Sequence, residues 1–297
     1  MLRFEREIKQ IPGEPELKIP RGKWRFTYYN GVKDLLDTPV TNPSNQRHLD
    51  KSMSQNNDSH SWWGIPKGDG HAVVELAKKG WPEGRERAMN EFAAKIKIPQ
   101  MPDIVRHRRW KDHGDSVDMQ RVYSGAADKA WQIAERGKKS GLKTHVLIMI
   151  DMGGHCQRKP DEFFWRGALC ALLTNKLVLS GRSVKVVLGH AGYDWSSDRS
   201  APKYIEDNIL VKDFHQVLNL DSCILSCALS GFFRSFGFKA ILNHPEQATG
   251  GLGRHTDYWA YGVPETNPSL FRIHVNDVWN LKQAEKKAQE IANLFEE

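Results

Sequence analysis

Asp151 is the residue whose type and position are best suited to chemistry. It ends the apolar run HVLIMID and is followed by the turn MGGHC. A carboxylate at the end of a buried strand, followed by two glycines, can face a ligand that backbone amides approach closely. The other reading is a turn acid that accepts hydrogen bonds from local amides. The full set of ligand-binding candidates is Asp151, Gly153, Gly154, His155 and Asp213.

A second candidate site is the basic run RHRRWK, which places five basic side chains around one tryptophan. Its members are Arg106, His107, Arg108, Arg109, Trp110 and Lys111. As a strand, the run would put Arg106, Arg108 and Trp110 on one face. Guanidinium groups beside an aromatic ring can bind phosphates and stack a base. The alternatives are a charged edge strand that resists aggregation, or basic residues paired with nearby acids within the fold.

No complete catalytic or metal-binding motif is present in the sequence. Asp151, His155 and Asp213 are the weak candidates for a divalent cation, and no other cofactor is predicted. The motifs GxxxxGK[ST], GxSxG and HExxH are absent. Structural zinc normally requires two closely spaced ligand pairs, which the cysteines lack, so reduced and buried thiols are expected. These cysteines are Cys156, Cys170, Cys223 and Cys227.

The elements that must position Asp151 lie between residues 144 and 192. HVLIMID is followed by a helix over FFWRGALCALLTNKLVLSG and by the strand SVKVVLG. Two later strands, ILVKDF and LFRIHV, each precede a helix. This order predicts an α/β fold with a mostly parallel sheet flanked by helices and buried on both faces. Ligands in such sheets lie at the carboxyl ends of the strands.

Composition divides the chain into three parts. Residues 1–60 are expected to form an extended, partly disordered arm, apart from a strand in KWRFTYYNG. Residues 61–140 predict a helical hairpin, the basic strand and a further helix over AADKAWQIAERGKKSG, which together give an α+β N-terminal portion. Residues 141–297 form the sheet domain. The range 61–297 could also be one continuous unit.

The charge distribution favours an acidic partner. The chain has 297 residues and a net charge of +7. Residues 1–143 hold 27 Lys and Arg against 19 Asp and Glu, whereas the remainder holds 16 against 17. Such an asymmetry indicates nucleic acid, DNA or RNA, or a solvated basic surface. No apolar stretch is long enough to cross a bilayer and the N-terminus is not a signal peptide, so a cytoplasmic protein without membrane contact is expected.

The predicted sheet resembles the von Willebrand factor A fold, with a Rossmann-like sheet as the other possibility. In the von Willebrand fold the first strand ends in a D-x-S-x-S motif that helps to hold a divalent cation. The two serine positions correspond here to Gly153 and His155. Only the carboxylate of Asp151 therefore remains from that motif.

A wider pattern over residues 60–297 resembles a family of bacteriophage and prophage proteins. The matching features are Trp63-Gly64, ELAKKGWPEG, VRHRRWKDHGDSVDMQRVYSG, GFFRSFGF and DVWNLKQAEK. The resemblance implies a phage-encoded protein in the host cytoplasm, with the virion left open, and it implies no activity.

Together these observations predict a phage-encoded binding or assembly protein without an active centre. It would act through protein contacts at the carboxyl edge of the sheet, and its oligomeric state is open. One alternative is a nucleic-acid-binding protein that uses residues 106–111. The other is a metal-dependent hydrolase built on Asp151, Asp213 and a histidine from the 244–255 loop.

Overall fold

The computed structural model describes residues 1–8, 22–54, 62–93, 95, 98, 106–111, 116–117, 119–123, 125, 127–136, 144–154, 157–193, 204–244 and 270–296. The strands are β1 (Leu2–Ile8), β2 (Gly22–Tyr29), β3 (Arg106–Lys111), β4 (Ser116–Val117), β5 (Trp131–Arg136), β6 (His145–Asp151), β7 (Ser183–Tyr193), β8 (Tyr204–Lys212) and β9 (Phe271–Val275). The helices are α1 (Val32–Asp37), α2 (Pro43–Met53), α3 (Gly70–Lys79), α4 (Pro82–Arg87), α5 (Met119–Tyr123), α6 (Pro160–Leu179), α7 (Leu220–Ala228), α8 (Ser230–Leu242) and α9 (Leu281–Glu296). A π-helical turn, Ala88–Phe92, continues α4, and another, Phe233–Gly237, lies within α8.

The main sheet is mixed and has the strand order β1-β2-β8-β7-β6-β9. Three neighbouring pairs are parallel: β2 with β8, β6 with β7, and β6 with β9. Two pairs are antiparallel: β1 with β2, and β7 with β8. The predicted α/β class is confirmed and the sheet is mostly parallel, as expected, but β8 runs antiparallel to β7. The connection between these strands, residues 194–203, is shorter than the dozen or more residues that a parallel crossover requires.

β6 lies between β7 and β9, next to one edge strand of the sheet, although the sequence predicted it in the middle. It has parallel neighbours on both sides, and its residues from Val146 to Asp151 are all buried. Alternate side chains point to opposite faces of a strand. Ile148 and Ile150 accordingly join the large core on one face, while Leu147 and Met149 join a separate cluster on the other.

The helices contribute to the core on one face of the sheet. Side chains from α1, α2, α3, α6, α7, α8 and α9 all belong to the cluster that contains Ile148. Within the described ranges, the opposite face carries two smaller clusters, one with Leu147, Met149 and Val187 and the other with Trp24 and Phe26. The seven helices named above pack on one face, whereas helices flanking both faces were expected.

The first part of the chain belongs to the same unit as the sheet. β2 pairs with β8 and fully buries Trp24 and Phe26. Residues 43–53, expected to be partly disordered, form α2 instead. The side chain of Asn42 caps this helix. The side-chain amide of Asn45 donates hydrogen bonds to the backbone carbonyls of Leu242 and His244. α2 is therefore held by a long-range polar contact that its sequence does not reveal.

The helix predicted over AADKAWQIAERGKKSG is also wrong. A short 3₁₀ turn, Ala127–Lys129, leads into β5, which lies between β3 and β4 in a three-stranded antiparallel sheet. The segment WQIAER alternates apolar and polar residues at its start and so suits a strand as well as a helix. Pairing on both sides decides between the two.

The two helices predicted on either side of GWPEG are observed as α3 and α4. The side chain of Asp69 caps α3 by accepting from the amides of His71 and Ala72. In the described part of the chain, no single helix is long and apolar enough to span a membrane. The pair α7 and α8 meets that test only when taken together, and it is bent by 71°.

Candidate site at the carboxyl edge of the sheet

Asp151 lies at the carboxyl end of β6, beside Gly189 of β7. Its Oδ1 atom accepts a hydrogen bond of 2.7 Å from the amide of Gly153, and the residue is only 1% exposed. The position at the end of a buried strand is as expected. A carboxylate aimed at an open rim is not, because the turn closes over it. The geometry matches the turn-acid reading.

Close packing explains the two glycines that follow Asp151. A Cβ on Gly153 would lie 3.0 Å from Asp151 Oδ1 and 3.2 Å from Nδ1 of the buried His190. A Cβ on Gly154 would lie 2.4 Å from the ring of Phe163. At Gly153 a larger residue would need its neighbours to give by a few tenths of an ångström, whereas at Gly154 the ring of Phe163 would have to move. His155 lies outside the described residues.

Asp213 lies at the opposite edge of the sheet from Asp151, where an edge means one of the two rims formed by the ends of the strands. β8 is antiparallel to β7, so its carboxyl end lies beside the beginning of β7. There Asp213 Oδ1 is 3.3 Å from the Lys185 ammonium and accepts a hydrogen bond of 2.8 Å from the Phe214 amide. Burial acts to raise the pKa of Asp213, but the amide and the ammonium outweigh it and hold the pKa below its usual value.

A shared cation for these two acids is therefore ruled out by the strand directions. The proposed set of Asp151, His155 and Asp213 cannot form one site, since its two carboxylates lie at different edges. Among the residues that the structure describes, no group of three or more His, Cys, Asp or Glu side chains is placed to hold a metal ion.

Arg166 is the residue at this edge that sequence reasoning missed. It lies on α6, is 1% exposed, and donates a hydrogen bond of 2.9 Å from Nη1 to the carbonyl of Gly153. Its guanidinium is 4.6 Å from the ring centre of Trp279. Burial lowers the pKa of Arg166, and the negative charges of Asp151 and Asp277 oppose that shift. An arginine in the middle of an otherwise apolar helix was the signal in the sequence.

Asp277 completes this arrangement from the neighbouring strand. It follows β9 and has a φ of 48°, the one positive φ found outside glycine in the described chain. Aspartate adopts this left-handed conformation more readily than most residues. Arg166 thus acts electrostatically on acids that follow or end two adjacent parallel strands, β6 and β9. The buried guanidinium supplies positive charge at this edge and holds the turn by its contact with Gly153.

Two further arginines connect the surrounding loops. Arg234 of α8 is buried and donates to the carbonyls of Trp62 and Arg158. Its guanidinium lies 4.0 Å from the ring centre of Trp62. Arg158 lies 4.5 Å from the ring centre of Trp279 and pairs with Glu162 at 2.6 Å. Both side chains bind backbone, aromatic or acidic groups of the protein itself, so the arginines serve structural contacts here.

A second buried polar cluster lies where α8 ends. His244 Nε2 is 2.7 Å from Asp207 Oδ1 and 3.4 Å from the Thr27 hydroxyl. The amide of Asn243 donates to the Tyr29 hydroxyl at 3.0 Å, and burial, together with the charge of Asp207, raises the pKa of Tyr29. A hydroxyl–histidine–carboxylate relay needs its two partners on different ring nitrogens. Here the Thr27 hydroxyl and the Asp207 carboxylate both lie near Nε2 of His244, so the cluster is not a nucleophilic relay.

This cluster also bears on the predicted hydrolase. That hypothesis placed a histidine of the 244–255 loop beside Asp151 and Asp213, but His244 pairs with Asp207 instead. The later positions of the loop lie outside the described residues.

The predicted basic strand forms as β3. It pairs antiparallel with β5 from Arg106, opposite Arg136, to Lys111, opposite Trp131. The side chains of Arg106, His107, Arg108, Arg109 and Trp110 lie outside the described part of the structure. Lys111 is described and is partly buried.

A row of three described side chains crosses the small sheet. Trp131 of β5 lies opposite Lys111 of β3 on one side and opposite Val117 of β4 on the other. Side chains that are directly opposite in antiparallel strands share a face. Trp131 is 36% exposed and Val117 is 39% exposed. The small sheet therefore presents an indole ring to solvent between a lysine and a valine.

Fold and sites define an α/β protein with a six-stranded mixed sheet, helices packed on one of its faces, and a small antiparallel sheet that carries a basic strand. Over residues 13–296 the chain matches the model of the family described as domain of unknown function DUF7192. The chain belongs to this family. No curated protein and no solved structure matches it.

Proposed function

We propose that the chain is a phage-encoded binding protein without an active centre, and that its ligand is a nucleic acid bound on the small sheet. The observation that supports this most is the row of Lys111, Trp131 and Val117, in which a partly exposed ring lies opposite a lysine of the neighbouring strand. Phosphate-binding cations next to an aromatic platform are the combination that nucleic-acid-binding surfaces use.

The charge of the sequence also supports a polyanionic ligand. β3 consists of RHRRWK, and the excess of basic residues lies entirely within residues 1–143, which include it. Nucleic-acid affinity comes largely from neutralising phosphates and is therefore strongly dependent on salt. A surface built in this way would bind most tightly at low ionic strength.

Salt titration is the test of this function. Binding of labelled DNA and RNA is measured by fluorescence anisotropy. The logarithm of the binding constant should fall linearly with the logarithm of the salt concentration. Replacing Arg109 or Lys111 by alanine should lower the slope by about one for each phosphate that the variant no longer neutralises. Arg47→Ala, which removes an exposed arginine of α2 on the main-sheet side of the protein, is the matched control and should leave the slope unchanged. Absence of binding to either nucleic acid at low salt would contradict the proposal.

Protein contact at the carboxyl edge of the main sheet is the second proposal. The resemblance to the von Willebrand factor A fold supports it, as does the position of β6 between two parallel strands that end at this edge. The burial of Asp151, Gly153 and Gly154 leaves these residues little surface for a partner, and this places the proposal second. A metal-dependent hydrolase is not proposed, since its acids lie at opposite edges.

A further inference from the structure

We infer that the ligand is single-stranded and that Trp131 is the ring on which one of its bases stacks. This inference rests on the proposed nucleic-acid function and specifies its ligand. β5 is the central strand of the small sheet, so the backbone of Trp131 is paired on both sides. The residue before it, Ala130, is fully buried. The indole is therefore attached to a fixed backbone while its own surface remains accessible.

Two lysines lie close to Trp131 along the backbone, and positive charge at this place favours a ligand with phosphate groups. Lys111 lies directly opposite Trp131, and the exposed Lys129 precedes it by two residues. Lys129 ends the 3₁₀ turn, which contacts both β3 and β5. Asp128 is an exposed acid of the same turn and opposes anion binding.

Apolar surface beside the ring favours an unpaired base over a duplex. Val117 widens the platform on the side away from Lys111. Tyr123, which is 82% exposed, ends α5, and this helix contacts the 3₁₀ turn before β5. In a duplex the faces of the bases are already stacked on each other, so a protein ring cannot reach them without unstacking. In a single strand they are free to stack on aromatic side chains. Phosphate contacts alone would not discriminate between the two.

The test compares a labelled single-stranded oligonucleotide of about 15 nucleotides with the duplex of the same sequence. The single strand should bind about tenfold more tightly or better, since stacking adds to the phosphate contacts that both ligands make. Trp131→Ala should weaken single-strand binding by about tenfold or more and leave the salt slope unchanged. Trp131→Phe, which keeps a stacking ring, should retain most of the affinity.

Leu179→Ala is the control for removal of exposed apolar surface, because Leu179 is 78% exposed at the end of α6. Photocrosslinking of the unaltered protein to an iodouracil-containing strand avoids any folding defect of the variants. A crosslink at Trp131 or Tyr123 supports the inference, and crosslinks confined to other regions overturn it. Equal affinity for single strand and duplex, with no effect of Trp131→Ala, would overturn the inference and leave the proposed function intact. No binding of either ligand at low salt would remove the function itself.

Discussion

Replacing Arg166 by methionine should lower the free energy of unfolding by about 1–3 kcal/mol, the usual cost of leaving a buried carbonyl without its hydrogen-bond donor. Methionine fills a similar volume, but it cannot donate to the Gly153 carbonyl and removes the positive charge that acts on Asp151 and Asp277. Urea denaturation of the purified variant measures the change. The effect is expected to be large because Arg166 is fully enclosed and water cannot replace it.

Arg158→Met is the matched control for Arg166→Met. Arg158 contacts the same Trp279 ring, but its side chain is 40% exposed and its partner Glu162 lies near the surface. Exposed ion pairs contribute about 0–1 kcal/mol, so this variant should remain close to the parent. If the free energy of unfolding of Arg166→Met lies within about 1 kcal/mol of the parent value, the role assigned to the buried guanidinium is wrong.

A double-mutant cycle separates the charge of Arg166 from its packing. Asp151→Asn keeps an acceptor for the Gly153 amide while removing the negative charge. If the charges interact, the double variant should lose less stability than the sum of the two single variants, by about 1 kcal/mol or more. Additive losses would indicate that Arg166 acts only through its hydrogen bond and its contact with Trp279.

Replacing Gly167 by alanine should destabilise the protein by about 3 kcal/mol, at the upper end of the usual cost of overpacking. α6 and α7 cross at this residue, and a Cβ on Gly167 would lie 2.2 Å from the Cα of Ala228 and 2.3 Å from its amide nitrogen. These are backbone atoms, so the helices themselves must separate. Alanine's higher helix propensity, worth about 1 kcal/mol, offsets only part of the cost.

Gly192→Ala is the control for Gly167→Ala. At Gly192 the nearest atom to an added Cβ is 4.0 Å away and the backbone conformation is accessible to any residue. The free energy of unfolding of this variant, measured by thermal and urea denaturation, should therefore lie within about 0.5 kcal/mol of the parent value. Equal stability of the two alanine variants would mean that the helices can move apart freely and that their contact is not a tight one.

Local sequence patterns predicted the strands and the helix that surround Asp151. The apolar run before Asp151, the long apolar helix after it and the strand that follows are observed as β6, α6 and β7. The helices α3 and α4 followed from Asp69 and from the proline after Trp81, which suits the first turn of α4. These predictions succeed because strand and helix preference, capping and turn chemistry act between residues that are close in sequence.

The candidate site was only partly predictable. Asp151 was identified by its place at the end of a strand, and its burial depends on how the following turn packs against His190 and Phe163. Asp277 acts electrostatically on Arg166 only because α6 and β9 both pack beside β6, although the two residues are more than a hundred positions apart in the sequence. The pairing of Asp207 with His244 likewise joins β8 to the end of α8.

The sequence by itself determined where the main strands and helices lie, that the fold is α/β, and that positive charge concentrates in the first half of the chain. Only the tertiary structure decided that β8 reverses direction, that β5 is a strand, that α2 belongs to the core, and that Asp151 and Asp213 lie at opposite edges. The physical reason is the range of the forces involved. Periodicity and turn chemistry are local, whereas strand direction, register and burial depend on which distant segments compete for the same surface.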